Sequence, residues 1–166
     1  MSGDVSERSD VSLALPGRAR VWEDIRLQKL WLALQRRRWQ SLAILPASRG
    51  IDTLPIAELL AHVAWAFRGQ PSCVFDLREL GLRLADYQTR EVRAQVEAGA
   101  SVFIALRSTS ENPTAVPVAK QADAVVLCID MGETRVKSAE GTIAEVGRDR
   151  VLGSILVRPR PRAAAP

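Results

Sequence analysis

Five short, mostly apolar runs constrain the fold of this chain more than any other feature of its sequence. They cover residues 41–45, 73–75, 101–106, 124–129 and 151–157. Each run has the length of a strand, is too short for a typical helix, and does not alternate between apolar and polar residues. Strands of that kind lie inside parallel sheets, where helices cover both faces. The sequence therefore predicts a parallel sheet of five strands.

Helical patterns separate these runs. Nothing breaks a helix between residues 18 and 38, where Leu27, Leu30, Trp31 and Leu34 recur at intervals of three or four. Further helices are predicted over residues 54–67, 80–97, 114–121 and 134–146. The alternation predicts an α/β fold with a doubly wound, mostly parallel five-stranded sheet and helices on both faces. We expect a core that holds Leu42, Ile44, Val74, Phe75, Phe103, Ile104, Val126, Leu127, Ile155 and Leu156.

The length of 166 residues and a hydrophobic content of 47% fit one domain with a core of its own. Residues 1–17 are rich in Ser, Asp and Gly and are predicted to be a disordered tail. Residues 18–158 form the single predicted domain, and residues 159–166 a basic tail rich in Pro and Ala. No hydrophobic signal segment and no membrane-spanning run is present, so we expect a cytoplasmic protein.

Positive charge is concentrated near the start of the predicted domain. The chain has 23 Lys and Arg against 19 Asp and Glu, and residues 18–38 carry seven of the basic residues with only two acidic ones. Such a segment is either a solvated helix face or a contact for anionic lipid or nucleic acid. The solvated face is favoured because no aromatic residue is interleaved in the basic tail, and nucleic acid is not expected as a partner.

Candidates for metal or nucleophile chemistry are few. His62 is the only histidine, Cys73 and Cys128 lie in apolar runs, and no Cys-x-x-Cys pair is present. A zinc site with the usual ligands is therefore excluded. Ser48 or Ser108 would need His62 as a base to act as a nucleophile. No catalytic residue, metal ligand or cofactor is predicted.

Ordered segments of the second half carry a resemblance to a known family. They are residues 117–130, which contain Ala-Asp-Ala-Val-Val-Leu, residues 132–135, Gly-Glu-Thr-Arg, and residues 151–156, Val-Leu-Gly-Ser-Ile-Leu. In this order they resemble MinD/ParA-type P-loop ATPases, and most closely the tyrosine autokinases of bacterial polysaccharide biosynthesis, the CpsD/CapB family. The resemblance covers roughly residues 20–158 and implies a fold of the P-loop NTPase type.

The resemblance places residues 46–55 at the family's phosphate-binding loop, where backbone N–H groups hold phosphates and a lysine neutralises them. Gly50 keeps one glycine of that loop. Asp52, Thr53 and Leu54 stand at the second glycine, the lysine and the magnesium-binding hydroxyl. A carboxylate there repels phosphate and the ammonium group is missing, so we do not expect tight nucleotide binding.

Two further loops depart from the family. Asp76 stands at the first aspartate of an Asp-x-Asp pair, but Arg78 stands at the second, which leaves Asp76 as a relic acidic position. The segment 104–109, Ile-Ala-Leu-Arg-Ser-Thr, lacks the aspartate that follows the family's third strand. The C-terminal tyrosine cluster is missing too, since Tyr87 is the only tyrosine. The resemblance therefore implies a catalytically inactive member of the group, a pseudo-ATPase or pseudokinase.

The segment ahead of the first strand resembles the family's oligomerisation helix. Trp22 and Arg26 match its aromatic and arginine positions, whereas Arg20 and Glu23 stand with their charges exchanged. Exchanged charges favour a partner with complementary charges over the family's symmetric ring. Arg20, Trp22, Glu23 and Arg26 are therefore predicted to contact a protein partner, in a hetero-complex or an altered homo-oligomer.

The resemblance implies a scaffold or regulator in bacterial exopolysaccharide or cellulose biosynthesis or export, recruited by a membrane-associated complex to the inner face of the membrane. One alternative is a MinD/ParA-like spatial organiser that retains weak nucleotide-dependent dimerisation. Another is an active α/β enzyme with an unrecognised site. That enzyme would have to use the carboxylates of the loops after the strands, which are Asp52, Asp76, Glu111 and Asp130.

Overall fold

Strands and helices alternate along residues 23–158, the part of the chain that the computed structural model describes. The predicted tails, residues 1–17 and 159–166, lie outside it. The strands are β1 (Ser41–Pro46), β2 (Ser72–Asp76), β3 (Ser101–Ala105), β4 (Ala124–Asp130) and β5 (Val151–Val157). The helices are α1 (Ile25–Leu34), α2 (Leu54–Arg68), α3 (Ala85–Glu97), α4 (Ala115–Gln121) and α5 (Val136–Val146).

All five strands belong to one sheet, in the order β2-β3-β1-β4-β5, and every neighbouring pair is parallel. β1 lies at the centre, with Leu42 opposite Phe103 of β3 and Ala124 of β4. The predicted five-stranded, doubly wound α/β architecture is confirmed. Because the strands are parallel, all of them end at one edge of the sheet, the carboxyl edge, and begin at the other, the amino edge.

Successive side chains of the central strand β1 pack against helices on opposite faces of the sheet. Leu42 and Ile44 pack against Phe103 and the helices α1 and α2. Ala43 and Leu45 pack on the opposite face, in the cluster to which α3 and α4 contribute. All of these side chains are fully buried, and burying a leucine or isoleucine contributes about 1.5–3 kcal/mol. Burial on both faces is the physical reason for an apolar run without alternation.

The outer strand β5 departs from the predicted core. Ile155 packs against the layer of α1 and α2, whereas Leu156, expected in the core, is 61% exposed. Successive side chains of a strand point to opposite faces, and β5 pairs only with β4 among the described residues. Val74 and Phe75 of β2, the strand at the other side of the sheet, are half-buried. The core prediction therefore holds for the three central strands and fails for Leu156.

Two helices begin at least five residues later than predicted. α1 begins after Asp24, whose carboxylate accepts the backbone N–H of Arg26 at 2.8 Å, and its apolar stripe is buried at Leu27, Trp31 and Leu34. α3 begins at Ala85, since residues 82–84 form a single 3-10 turn. Within residues 23–158, no helix combines the length and the apolar character that crossing a membrane requires.

Candidate functional site at the carboxyl edge

Four loops meet at the carboxyl edge, where ligands bind in doubly wound sheets. They follow β1, β2, β3 and β4 and comprise residues 47–53, 77–81, 106–114 and 131–135. They carry all the residues predicted for a degenerate nucleotide loop, apart from Leu54 at the start of α2 and Asp76 at the end of β2. The structure thus brings the predicted phosphate-directed positions to one edge.

Arg78 joins two of these loops. Its Nη1 donates a hydrogen bond to Oδ1 of Asp52 at 2.6 Å. Its Nε and Nη2 donate to the two carboxylate oxygens of Asp76 at 2.7 and 2.8 Å. Two-point pairing of a guanidinium with a carboxylate is among the stronger polar contacts in proteins. Both predicted acidic positions, Asp52 and Asp76, are therefore held by one protein cation.

The ion pairs shift the ionisation of their members. The hydrogen bond from the Arg78 side chain holds the pKa of Asp76 below its ordinary value, against a smaller opposing effect of burial. The same hydrogen bond raises the pKa of Arg78. Two carboxylates around one guanidinium leave the cluster with a formal charge of −1. A cluster with this charge repels phosphate groups.

Thr53, which the sequence resemblance aligned with the lysine of a phosphate-binding loop, is fully buried. Its Oγ1 donates a hydrogen bond of 2.6 Å to the backbone carbonyl of Leu106 and so links the start of α2 to the end of β3. The hydroxyl is therefore used inside the protein and does not face the edge. A lysine at this position would place its charge among apolar side chains, which costs several kcal/mol.

The N-terminus of α2 is occupied by a side chain of the same loop. Oδ1 of Asp52 accepts the backbone N–H of Leu54 at 3.2 Å, and Pro55 supplies no N–H to the first turn. The positive end of a helix dipole attracts anions, and here the anion is the Asp52 carboxylate. Gly50 adopts a φ of +83°, which suits glycine and turns the loop towards α2.

The other two loops are also closed by internal contacts. Oγ of Ser48 lies 2.7 Å from Oγ1 of Thr134, which accepts the backbone N–H of Asp130 at 2.9 Å. Oγ of Ser108 donates to the Glu111 carboxylate at 2.7 Å. Three of the four carboxylates that an unrecognised enzyme would use, those of Asp52, Asp76 and Glu111, thus accept hydrogen bonds from the protein itself.

Asn112 was not singled out in the sequence, but it organises this edge. Its Nδ2 donates to the backbone carbonyls of Arg78 at 3.1 Å and Leu80 at 3.0 Å, and its Oδ1 accepts the N–H of Thr114 at 3.1 Å. The side chain thereby fixes the loop after β2 against the loop after β3. The only local signal is the Asn-Pro pair formed with Pro113, which marks a turn.

Metal and thiol chemistry find no support at this edge. No three His, Cys, Asp or Glu side chains within residues 23–158 come together in a group that could hold a metal ion. Burial raises the pKa of the Cys128 thiol to about 12 and also raises the pKa of Cys73. Neither cysteine therefore forms a reactive thiolate at neutral pH.

The structure describes two of the four predicted interaction residues. Arg20 and Trp22 are outside the described residues, and Glu23 is exposed directly before α1. The Arg26 side chain is 84% exposed and pairs with Asp24, with 2.8 Å between Nη2 and Oδ2. The predicted cluster of four residues therefore remains a prediction, with Glu23 and Arg26 at the surface.

No family model and no curated protein matches the sequence. The fold is similar to that of the kinase domain of the Escherichia coli tyrosine kinase ETK. The two structures superpose with a TM-score of 0.66 at 14% sequence identity, over 87% of this chain and 78% of that chain. At this identity the likeness establishes the fold alone, and the chain has the same parallel α/β fold as that kinase domain.

Proposed function

We propose that this chain is a catalytically inactive relative of the P-loop tyrosine autokinases and acts by binding other proteins. The observation that carries the proposal is the set of ion pairs by which Arg78 holds Asp52 and Asp76 at the carboxyl edge. In an active P-loop, backbone N–H groups and a lysine face the phosphates at this place. Here the chain's own carboxylate and guanidinium stand there instead.

A bound nucleotide would have to undo these contacts. Its phosphates would displace Asp52 from the start of α2, and the released carboxylate would then lie beside them. Thr53 provides no cation to offset that repulsion, and its hydroxyl is already bonded to Leu106. Hydrogen bonds to charged groups contribute about 1.5–3 kcal/mol each. The loss of several such bonds argues against Mg-ATP binding at this edge.

The biological setting is proposed from the fold and the family resemblance. A protein with the fold of a tyrosine kinase domain but without a working nucleotide site would serve as a scaffold or regulator in bacterial exopolysaccharide or cellulose biosynthesis or export. A membrane-associated partner complex would recruit it, with the start of α1 as the contact. Ile25 in the first turn of α1 and Leu32, two turns further along the same face, are 64% and 69% exposed, which supports a protein contact along this helix.

The first experiment titrates the protein with ATP and Mg²⁺ by calorimetry and assays hydrolysis. It uses the native chain and the variant Arg38→Glu/Lys120→Glu, because these two exposed cations near the amino edge could attract phosphates independently. We expect no hydrolysis in either chain and no Mg-ATP binding at millimolar concentration in the variant. A micromolar Kd in both chains would contradict the proposal. Dimerisation driven by ATP would favour the MinD/ParA-like organiser instead.

The second experiment tests the contact at the start of α1. The double substitution Trp22→Ala/Glu23→Arg should abolish partner capture in a pull-down from the source cell while the cooperative thermal transition persists. Glu97→Arg, an exposed change of the same sign and size at the end of α3, is the control. Full capture by the double variant would place the contact elsewhere.

A further inference from the structure

A cleft at the amino edge of the sheet collects positive charge that the carboxyl edge lacks. Its volume is about 990 Å³. The lining comes from the ends of α1, α2 and α4 and from the residues that precede β1, β4 and β5. Its charged residues are Arg37, Arg38, Arg68, Lys120, Arg150 and Asp123. With five cations and one carboxylate, this basic groove has a formal charge of +4.

Arg37 and Arg150 are held in place by backbone carbonyls, which carry no formal charge. Arg37 donates to the backbone carbonyls of Asp149, Asp123 and Arg150. Arg150 itself donates to the carbonyl of Ala122 at 3.1 Å. Neutral acceptors fix the direction of a guanidinium without cancelling its charge, so the groove keeps its attraction for anions.

Arg68 is positioned by aromatic rings. Its guanidinium lies 4.3 Å from the ring centroid of Trp39 and 5.1 Å from that of Trp31. It also donates to Oγ of Ser101 at 2.9 Å and to Oε1 of Gln35 at 3.2 Å. These contacts hold a cation rigidly at the groove, again without a carboxylate partner.

The carboxylate of the groove, that of Asp123, is hydrogen-bonded to backbone N–H groups and not to a cation. Oδ2 of Asp123 accepts the backbone N–H groups of Gln40 and Ser41, each at 2.9 Å. Within residues 23–158, none of the five cations takes part in a salt bridge. Three helices end at the groove and contribute about −0.5 charge each, roughly −1.5 in total. The formal charge of +4 is therefore reduced to about +2.5, and this remaining positive charge is not offset by the helix dipoles.

We propose that the basic groove binds a small ligand that carries several phosphate groups. Each phosphate bears up to about two negative charges on three acceptor oxygens, so two or three of them match the charge of the groove within its volume. An acidic peptide would need at least four carboxylate side chains in the same space. Trp39, although it lines the groove, is only 3% exposed, so no aromatic surface is available for stacking nucleic acid bases.

The experiment titrates the full-length protein with tripolyphosphate by calorimetry and by tryptophan fluorescence, to which Trp31 and Trp39 beside Arg68 contribute together with Trp22 and Trp65. We expect binding that Arg38→Glu/Lys120→Glu weakens at least tenfold. Both side chains are exposed and without a hydrogen bond to the rest of the described chain, so the fold should persist. If that variant loses its thermal transition, Arg38→Ala/Lys120→Ala replaces it. The control Arg83→Glu/Lys137→Glu makes the same change of charge away from the groove and should bind like the native chain.

Two further probes identify the ligand class. A hexaglutamate peptide should bind at least tenfold more weakly than tripolyphosphate, and equal or tighter binding would overturn the proposal in favour of an acidic protein segment. A single-stranded oligonucleotide that binds more tightly than tripolyphosphate would overturn it in favour of nucleic acid. The absence of tripolyphosphate binding, or equal losses in the groove and control variants, would overturn it outright. None of these outcomes bears on the carboxyl edge, which the ATP titration of the groove variant tests separately.

Discussion

The guanidinium of Arg78 and the carboxylate of Asp52 lie 2.6 Å apart, although the residues belong to loops that follow different strands. Asp52 also accepts the N–H of Leu54 at the start of α2. The pair therefore holds the Asp52 carboxylate at the start of α2, and it also connects the loop after β1 to the loop after β2. Removing Arg78 should therefore affect stability.

Arg78→Ala should destabilise the protein by about 1 kcal/mol. Asp52 and Asp76 are roughly half exposed, so each ion pair is screened by water, but the substitution also leaves two carboxylates near each other. Arg78→Lys should cause about half of that loss, because an ammonium keeps the charge without the two-point geometry. The measurement is urea unfolding, with Arg83→Ala as an exposed control that should change stability by less than about 0.5 kcal/mol.

The loss in Arg78→Ala should also depend on pH. The pKa of Asp76 is lowered in the folded protein by its hydrogen bond to Arg78. Its contribution to stability is therefore complete above the unfolded-state pKa of about 4 and disappears as the pH falls through the folded-state value. The difference between native protein and variant should be largest at neutral pH and shrink below about pH 4. A difference that stays constant to pH 2 would rule out the ion pair as its source.

Thr53→Val should destabilise the protein by about 1–3 kcal/mol. The substitution keeps the shape of a fully buried side chain but leaves the Leu106 carbonyl without its donor. Thr53→Ser is the matched control, since it keeps the hydroxyl and removes only a methyl group. Thermal and urea unfolding of the three chains separate the two contributions.

Introducing a lysine at position 53 tests whether the loss of this one cation accounts for the expected lack of Mg-ATP binding. Thr53→Lys should cost about 3 kcal/mol or more, because it buries an ammonium without a partner, and it should not create Mg-ATP binding. A stable Thr53→Lys variant with a micromolar Kd for Mg-ATP would mean that the site lacks only its lysine. The proposal of an internally closed edge would then be wrong.

Asn112→Asp should destabilise the protein by about 2 kcal/mol, more than Asn112→Ala does. The side chain keeps its size, but two donated hydrogen bonds become contacts between a carboxylate and the carbonyls of Arg78 and Leu80. The protonated carboxyl group can donate again, which raises its pKa in the folded state. Because one O–H replaces only one of the two donated bonds, the part of the penalty that comes from the charge should vanish as the pH falls below about 4, the unfolded-state value, while the cost of the second bond remains. Equal stability of Asp and Ala variants at neutral pH would contradict this assignment.

Much of the fold could be predicted because local patterns decide it. Burial on both faces makes the central strands apolar without alternation, as Leu42, Ala43 and Ile44 show. Leu156 was misassigned because an apolar residue looks the same in an edge strand as in a central one, and only the sheet order distinguishes them. The start of α3 was placed five residues early because Leu82, Arg83 and Leu84 are helix formers, but after the extended Gly81 they form a tighter 3-10 turn.

The contacts at the two edges could not be predicted in the same way. The sequence indicated that Asp52, Thr53 and Arg78 depart from a P-loop, but it gave no indication that Arg78 reaches Asp52 or that Thr53 turns inward. Both contacts depend on loops brought together by the parallel sheet. The basic groove is even harder to predict from the sequence. Its cations come from separate segments and come together only where helices end and strands begin.

Asp123→Ala should lower the stability of the protein and raise its affinity for tripolyphosphate. Its carboxylate accepts the N–H groups of Gln40 and Ser41 and so ties the start of β1 to the turn before β4. Losing hydrogen bonds to a charged group should cost about 2 kcal/mol of stability. Among the described residues that line the basic groove, this carboxylate is the only negative side chain, so its removal should tighten tripolyphosphate binding about threefold to tenfold.

The isosteric Asp123→Asn separates the two effects. It keeps an acceptor oxygen for one or both N–H groups, so it should lose less stability than Asp123→Ala, while its gain in tripolyphosphate affinity should be the same because the charge is gone in both. Glu133→Gln, an exposed change of equal charge beyond the carboxyl edge, should leave affinity and stability close to native. If affinity instead falls together with stability in both Asp123 variants, Asp123 holds the groove in shape rather than opposing its charge. The formal charge would then not be what governs binding there.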